Sequence, residues 1–305
     1  MNGVINILKP PGLTSHDVVA YLRRLLKIKK VGHTGTLDPG AAGVLPVCIG
    51  KATRLSSYIT DETKEYRCEM VLGTETDTLD SYGEILSTSN QYPDLKTIQQ
   101  VFSEFSGELT QYPPAYSAVK YKGKKLYEYA REGQELNIPP RKIVIYRNEI
   151  IKFTAPDRIL FEVVCSKGTY IRSLCRDIGR KLGCGAYMSF LLRYRTGKYR
   201  LENSYTLDEV RQFFEKGEME KIIIPMDQAV DKLPGIELSH RYRQKLVNGN
   251  TVCFSNEENV GILISHIHLG SDNMVRIYCG GQFIGIAAAE PVENGLCIKM
   301  KKVLV

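Results

Sequence analysis

The chain has 305 residues, which is long enough for one large domain and a second, smaller one with a substantial core. Its 41 lysines and arginines exceed its 34 aspartates and glutamates, and the resulting charge of +7 is compatible with an anionic partner. No apolar run reaches the roughly 18 residues that a membrane-spanning helix needs, and the first residues lack a signal-peptide core. We therefore expect a cytoplasmic protein with no membrane partner.

Two helices and a strand are predicted in the first part of the chain. Thr14 and Asp17 form a capping-box pattern before a helix whose apolar residues recur at helical spacing to Leu26. Residues 66–72 alternate as a strand, and the polar run 74–81 is predicted as a loop. A second amphipathic helix is predicted from residue 95 to 105 and ends at Gly107.

The segment 112–133 interleaves aromatic and basic side chains. It contains Tyr112, Tyr116, Tyr121, Tyr127 and Tyr129 together with Lys120, Lys122, Lys124, Lys125 and Arg131. Such a pattern suits stacking on bases while phosphates are contacted. The alternative is a solvated, charged helix with an edge of tyrosines.

The second half begins with strands and returns to helices. Strands are predicted at 143–153 and 159–165, followed by a turn at 166–169 that leads into a helix with Arg172 just after its start. Thr206 and Glu209 form a second capping box for a further helix.

From about residue 233 the pattern changes to short β-like segments. Strands are predicted at 251–254, 260–266, 274–279, 282–289 and 296–305, with Gly280 and Gly281 turning one hairpin. We therefore divide the chain into a larger domain, 1–232, and a small β-rich domain, 233–305.

Metal and redox chemistry are not indicated. The eight cysteines include no Cys-x-x-Cys spacing, so we expect reduced thiols. His266 and His268 would share one strand face, but no third ligand follows nearby, and we predict no metal site. A phosphate-binding loop is excluded at residues 43–51, because the glycine spacing is too long and Ala52 replaces the magnesium-binding hydroxyl.

Asp38 is the only carboxylate between Val18 and Thr60, a stretch rich in lysine and arginine. The glycines around it allow the backbone to approach a ligand closely, and Pro39 biases Asp38 toward an extended conformation. Neighbouring positive charge favours the ionised carboxylate and attracts a polyanion. The pattern indicates a nucleophile that acts on nucleic acid; the alternative is a turn residue that hydrogen-bonds its own backbone.

The segment from Gly32 to Gly43 resembles the signature of the bacterial tRNA pseudouridine-55 synthases. In that family the Asp of Gly-His-Thr-Gly-x-Leu-Asp-Pro is the nucleophile. Further matches run in order across residues 3–197, at 9–19, 64–66, 113–120, 166–172, 183–186 and 191–193. The tail resembles the PUA RNA-binding domain that many members carry. Gly40 and Ala42 depart from the family pattern, which often has a larger residue and a Thr or Ser there.

The resemblance implies an α/β (α+β) catalytic domain with a mixed, mainly antiparallel central sheet, followed by a PUA-like domain. It implies isomerisation of a uridine in the T loop of tRNA (position 55) to pseudouridine. The base would be flipped out of its stack, the glycosidic bond broken and the uracil rejoined through C5, without a cofactor or metal.

Three catalytic residues follow from the resemblance. Asp38 is the nucleophile, and Arg172 is its ion-pair partner, although position alone would make Arg172 a surface residue of a helix. Tyr66 stacks under the flipped base and is a candidate for proton transfer, but its ordinary pKa near 10 favours the stacking role.

Six substrate-binding residues follow in the same way. His33 fills space in the RNA loop, and Tyr170 and Leu191 line the pocket. The others are Asp80, in a hydrogen-bond network near the RNA, with Lys9 and Lys64 in their motifs. The alternatives are turn roles for His33 and Asp80 and core roles for Tyr170 and Leu191.

The implied partner is tRNA, held by its T-stem-loop, with the segment 112–133 closing over it and the tail reaching the acceptor end. No protein partner is implied, and we expect a monomer. The alternative function is a non-catalytic tRNA-binding protein or tRNA-folding chaperone on the same scaffold. Retention of Asp38, Tyr66 and Arg172 argues against it, because binding alone does not require that set.

Overall fold

A large mixed sheet and a smaller five-stranded sheet organise this computed structural model, which describes residues 1–60, 63–134, 136–255, 273–293 and 295–305. The strands are β1 (Gly3–Lys9), β2 (Val31–His33), β3 (Ala42–Ile49), β4 (Lys64–Leu72), β5 (Thr74–Thr76), β6 (Ile85–Thr88), β7 (Gly107–Gln111), β8 (Lys120–Tyr121), β9 (Lys124–Lys125), β10 (Arg141–Thr154), β11 (Arg158–Cys165), β12 (Ala186–Thr196), β13 (Tyr199–Arg200), β14 (Gly235–Leu238), β15 (Val252–Ser255), β16 (Met274–Cys279), β17 (Gln282–Val292) and β18 (Gly295–Val303). The helices are α1 (Ser15–Leu26), α2 (Ser56–Thr60), α3 (Leu95–Glu104), α4 (Leu126–Arg131), α5 (Ile171–Lys181), α6 (Leu207–Glu215), α7 (Met226–Ala229) and α8 (Arg243–Val247).

The large sheet has the strand order β1-β3-β12-β4-β11-β10-β7, with β2 added to β3 and β13 added to β12. Its neighbours run antiparallel except β3 and β12, which are parallel. The predicted mixed, mainly antiparallel sheet is therefore confirmed. The strands β1, β3 and β12 were not predicted, although β12 lies near the middle of the sheet.

The helix starts follow from local capping. The Thr14 hydroxyl accepts a hydrogen bond from the Asp17 backbone N–H while the Asp17 carboxylate accepts from the Thr14 N–H, and Thr206 and Glu209 repeat the arrangement before α6. Both predicted capping boxes are thus confirmed, and each satisfies N–H groups that have no partner inside the helix. The prediction of a continuous loop over 74–81 is wrong at its start, because β5 pairs with β6 there.

The core of the large sheet forms where the apolar faces of α1, α3, α5 and α6 cover the strands. Phe102 of α3 meets Phe161 of β11 edge to face, with 5.4 Å between ring centroids. Burying one such side chain contributes about 1.5–3 kcal/mol, so this layer fixes the sheet on which the site is built.

The smaller sheet has the order β14-β16-β17-β18-β15 and its own apolar core. The hairpin predicted at Gly280 and Gly281 joins β16 to β17. The strand predicted at 260–266, with His266 and His268, lies outside the described residues. The expectation that all cysteines are reduced is wrong for one pair: Cys253 and Cys297 are register partners on β15 and β18 and form a disulfide. The other six cysteines are buried free thiols.

The two sheets share a third apolar cluster. Val4 and Val44 of the large sheet pack in it with Ile286 of β17 and Leu304, all 2% exposed or less. The domain boundary at residue 233 stays a prediction. In the described part of the chain, no helix is long and apolar enough to cross a membrane. Over the same residues, no three His, Cys, Asp or Glu side chains are grouped as metal ligands.

Candidate active site

Asp38 lies on the loop between β2 and β3, residues 34–41, which we call the Asp38 loop. Ser15, at the start of α1, holds it from one side: its hydroxyl accepts from the Leu37 N–H at 2.9 Å and donates to the Leu37 carbonyl at 3.1 Å. The Ala41 N–H donates to the Asp38 carbonyl at 3.1 Å, which closes a tight turn. The Asp38 side chain remains 34% exposed, so solvent or a ligand can reach it.

Lys9 holds the same loop from beneath. Its side chain is fully buried, and its ammonium donates to the carbonyls of Pro10, Pro39 and Ala41 at 2.8, 3.2 and 2.7 Å. Burial lowers the pKa of Lys9 from 10.5 to about 8, while the Asp38 charge acts in the opposite direction. Lys9 therefore binds protein carbonyls at the base of the loop, and its assignment to substrate binding stays a prediction.

Arg193, on β12, is a third support that the sequence reasoning did not assign. Its side chain is 1% exposed, and its guanidinium donates to Val44 O at 2.8 Å, to Gly35 O at 3.2 Å and to Thr36 O at 3.5 Å. Two of these carbonyls belong to the Asp38 loop and the third to β3, so one buried cation of β12 joins the loop to both strands. Its position two residues after Leu191, on the buried face of a strand, is the signal that could have found it.

Gly43 allows β12 to approach this closely. It pairs with Arg193 in the parallel ladder, has a φ of +118°, and an added Cβ would lie 2.1 Å from the Arg193 carbonyl oxygen. Any other residue would be strained there and would push the strands apart.

Arg172 makes a two-point contact with Asp38. Its Nη2 donates to Oδ1 at 3.0 Å, and its Nε lies 2.9 Å from Oδ2 as an ion-pair contact without hydrogen-bond alignment. The Arg172 side chain is only 5% exposed, so it is not a surface residue of α5. Such a pair fixes the plane of the carboxylate.

The remaining contacts of Arg172 connect three segments. Nη1 donates to Thr78 O and Nη2 to Tyr116 O, both at 2.9 Å, and Nη1 lies 3.6 Å from the Asp80 carboxylate. Tyr116 belongs to the segment 112–133. The guanidinium that holds Asp38 therefore also holds the backbone of this segment and of the loop after β5.

Tyr66 of β4 faces Arg193 directly across the β4–β12 ladder. It is 6% exposed, and burial raises the pKa of its phenol to about 12, although the Arg193 guanidinium, which is within hydrogen-bonding reach, acts to lower it. Leu191 faces Cys68 in the same ladder and is 5% exposed. The phenol is thus protonated at neutral pH and can present a ring face or donate a proton.

The other predicted residues occupy different parts of the neighbourhood. His33 ends β2, its Nδ1 accepts from the Gly35 N–H at 3.4 Å, and burial first and Arg193 second lower its pKa. The Asp80 carboxylate accepts from the Thr78 hydroxyl at 2.6 Å as well as facing Arg172.

Two further residues lie at the ends of elements around the site. Tyr170 is the N-cap residue of α5, and its backbone is held by the side chain of Gln111. Lys64 starts β4, and its ammonium donates to Thr60 O at 3.2 Å. The structure thus brings Asp38, Arg172, Asp80 and Lys9 into one cluster, and it gives Lys64 a partner at the end of α2.

Comparison with known proteins identifies the family of this chain from its sequence. Residues 23–171 match the model of the TruB family pseudouridylate synthase N-terminal domain, and residues 172–231 match the tRNA pseudouridylate synthase B C-terminal domain. The tRNA pseudouridine synthase B of Caldanaerobacter subterraneus subsp. tengcongensis is 48% identical over 95% of this chain and 96% of its own. That of Alkaliphilus oremlandii is 46% identical over 100% of this chain and 99% of its own.

Two solved structures are similar to this chain over nearly its whole length. A chain of a Cbf5–Nop10–Gar1 complex superposes with a TM-score of 0.74 at 30% identity and covers 99% of this chain and 85% of that chain. A chain of an H/ACA RNP bound to a substrate RNA that contains 2′-deoxyuridine gives a TM-score of 0.73 at 28% identity, with coverage of 99% and 85%. The chain therefore belongs to the TruB family of tRNA pseudouridine synthases.

Proposed function

We propose that this enzyme, an isomerase of the TruB family, converts the uridine at position 55 in the T loop of tRNA into pseudouridine. One observation carries the proposal: the Asp38 carboxylate, 34% exposed, is fixed at two points by the buried Arg172, and its charge acts on the buried phenol of Tyr66. The reaction breaks the bond from uracil N1 to ribose C1′ and forms a bond from C5 to C1′. N1 gains a proton and C5 loses one, so no cofactor or metal is required.

Asp38 is the residue that acts on the substrate. A base in a folded RNA loop must leave its stack to reach the carboxylate, at a cost of a few kcal/mol. Asp38 then attacks ribose C1′ or assists the departure of uracil. Arg172 orients the carboxylate for either route.

Tyr66 provides a face for the flipped uracil, with Leu191 and Tyr170 as further walls. Because burial raises the pKa of the Tyr66 phenol to about 12, a phenolate base is disfavoured at neutral pH and the ring acts by stacking or as a proton donor. His33 takes the space of the extruded base in the RNA loop, and Asp80 completes the network around Arg172.

The RNA is bound over a wider surface. The tyrosines and lysines of 112–133 contact the T-stem-loop, and the 233–305 domain, which we infer to be PUA-like, reaches the acceptor end. Lys9 supports the Asp38 loop from below, and we keep Lys64, whose ammonium donates to Thr60 O, as a substrate-binding residue. We infer a monomer that works in the cytoplasm, where tRNA is modified in bacteria.

Tritium release from T-stem-loop RNA labelled at uracil C5 tests the proposal, with Asp38→Asn as the matched variant. Release by the wild type alone, with equal RNA affinity for both proteins, is the expected result. Release by both would remove Asp38 as the reacting group. Binding without release by either would favour the non-catalytic tRNA-binding or chaperone function.

A further inference from the structure

Tyr82 places an exposed aromatic ring beside the Asp38 loop. The residue is 74% exposed, yet the edge of its ring occupies the space above Gly40. A Cβ added to Gly40 would lie 2.3 Å from Tyr82 Cε2 and 2.9 Å from both Cζ and the hydroxyl oxygen. The ring can therefore adopt this position only because residue 40 has no side chain, and residue 40 is two positions from Asp38.

The backbone of Tyr82 is fixed to the active-site cluster. Its N–H donates to Asp80 Oδ1 at 3.1 Å, and the other carboxylate oxygen of Asp80 lies 3.6 Å from Arg172. The turn between β5 and β6, which contains Tyr82, is closed further by the Glu84 N–H, which donates to Asp77 Oδ1 at 2.8 Å. Among the residues described, the Tyr82 hydroxyl has no hydrogen-bond partner and its ring has no stacked aromatic or cationic partner. The ring is thus held at one edge while its faces are open.

An open aromatic face at this position matches a need of the reaction. When a base is extruded from a stack, each neighbouring base loses a stacking partner. In the proposed function the extruded uracil lies against the buried Tyr66. The exposed ring of Tyr82, beside the Asp38 loop, is then available to a neighbouring base that does not enter this pocket. We propose that Tyr82 is a stacking platform for the nucleobase next to the extruded uridine, an inference that rests on the proposed function.

Variants of Tyr82 separate stacking from other roles. Base–aromatic stacking changes binding by about 5- to 150-fold when the ring is replaced by alanine. We expect Tyr82→Ala to weaken binding of T-stem-loop RNA, and to raise KM, by about fivefold or more with kcat unchanged, while Tyr82→Phe and Tyr82→Trp stay near wild type. Tyr146, which is 60% exposed on β10, provides the control Tyr146→Ala. Equal RNA affinity of Tyr82→Ala and wild type would overturn the proposal, and so would a Tyr82→Phe variant as weak as Tyr82→Ala.

The absence of tryptophan from the sequence gives an independent readout. In Tyr82→Trp the only indole of the protein would lie at the proposed platform, and stacking on a base should quench its fluorescence when RNA is added. Tyr146→Trp, measured in the same way, should keep its fluorescence. Quenching absent from Tyr82→Trp, or equal in both proteins, would contradict stacking.

The RNA partner is identified by removing bases one at a time. An abasic site 5′ or 3′ to the target uridine should abolish the difference between wild type and Tyr82→Ala at one of these positions. If the difference persists with both RNAs, the ring does not stack on a neighbouring base. Binding and quenching are measured without turnover, so a protein that shows them and yet releases no tritium would refute the proposed function and leave the platform in place.

Discussion

Arg193 is the residue whose replacement tests our account of the site most directly. In Arg193→Met the carbonyls of Val44 and Gly35, which accept at 2.8 and 3.2 Å, lose their donor inside the protein. An unsatisfied buried acceptor costs about 1–3 kcal/mol, so the two together cost about 2–6 kcal/mol. Removing a buried cation also relieves its desolvation, which acts in the opposite direction. We therefore expect a loss near the lower end, about 2 kcal/mol, or roughly 4–8 °C in Tm.

The effect of Arg193→Met on the kinetics should differ from the effect of removing a side chain that contacts RNA. Arg193 is 1% exposed, so the KM for T-stem-loop RNA should change little, whereas kcat should fall because the Asp38 loop loses its anchor. Arg193→Lys keeps the charge but cannot reach both carbonyls in one geometry, so it should recover part of the stability and little of kcat.

The control for both measurements is Arg195→Met on the same strand. Arg195 pairs with Glu65 at 2.9 Å and is 37% exposed, so its loss should cost less than about 1 kcal/mol and leave kcat unchanged. Urea unfolding gives the free energy of unfolding, and tritium release gives kcat. A wild-type kcat in Arg193→Met would refute the positioning role. So would equal losses of stability and of kcat in Arg193→Met and Arg195→Met.

Three further predictions concern protonation and RNA binding. Because burial lowers the pKa of Lys9 from 10.5 to about 8, the folded chain binds fewer protons than the unfolded chain between these values. The free energy of unfolding of the wild type, measured against Lys9→Met, should therefore rise with pH across this window, and a flat difference would contradict it. The near-ultraviolet phenolate absorbance of the wild type, compared with Tyr66→Phe, should show no contribution from Tyr66 until the pH approaches about 12; a contribution near pH 10 would mean an unperturbed phenol. Replacing Lys124 and Lys125 by alanine should reduce the slope of log affinity against log salt by about 1.5, and an unchanged slope would rule out phosphate contacts by them.

The sequence predicted those parts of the site that reside in short contiguous patterns. The Asp38 loop and the start of α5 each stand in one segment, so their residues could be matched directly. The partners of Arg172 could not, because the carbonyls of Thr78 and Tyr116 carry no side-chain signature and become neighbours only in the folded chain.

Two central strands escaped prediction for identifiable physical reasons. The alternation of β12 is interrupted by register shifts between Met188 and Phe190 and between Arg193 and Arg195, which break the period of two. The strand β3 contains Pro46, a residue that ordinarily argues against a paired strand because it has no N–H to donate. Its carbonyl is used instead, by the Thr34 N–H at 3.1 Å.

The disulfide is a third feature that the sequence did not predict. Cys253 and Cys297 are 44 residues apart, and only the pairing of β15 with β18 makes them register partners. Such a pair can be inferred once the sheet order is known, whereas spacing along the chain gave no indication of it.

The apolar cluster shared by the two sheets limits how freely the tail can be exchanged. Leu304 and Ile286 pack against Val4 and Val44, which lie on the strands that carry Lys9 and follow the Asp38 loop. Removing the tail would therefore expose apolar surface on the two strands that flank the Asp38 loop, and the lost activity would be mistaken for lost RNA contact. In a chimera with a relative's tail, the residues at these four positions must be transferred as a set, so the unit of exchange is larger than the domain itself.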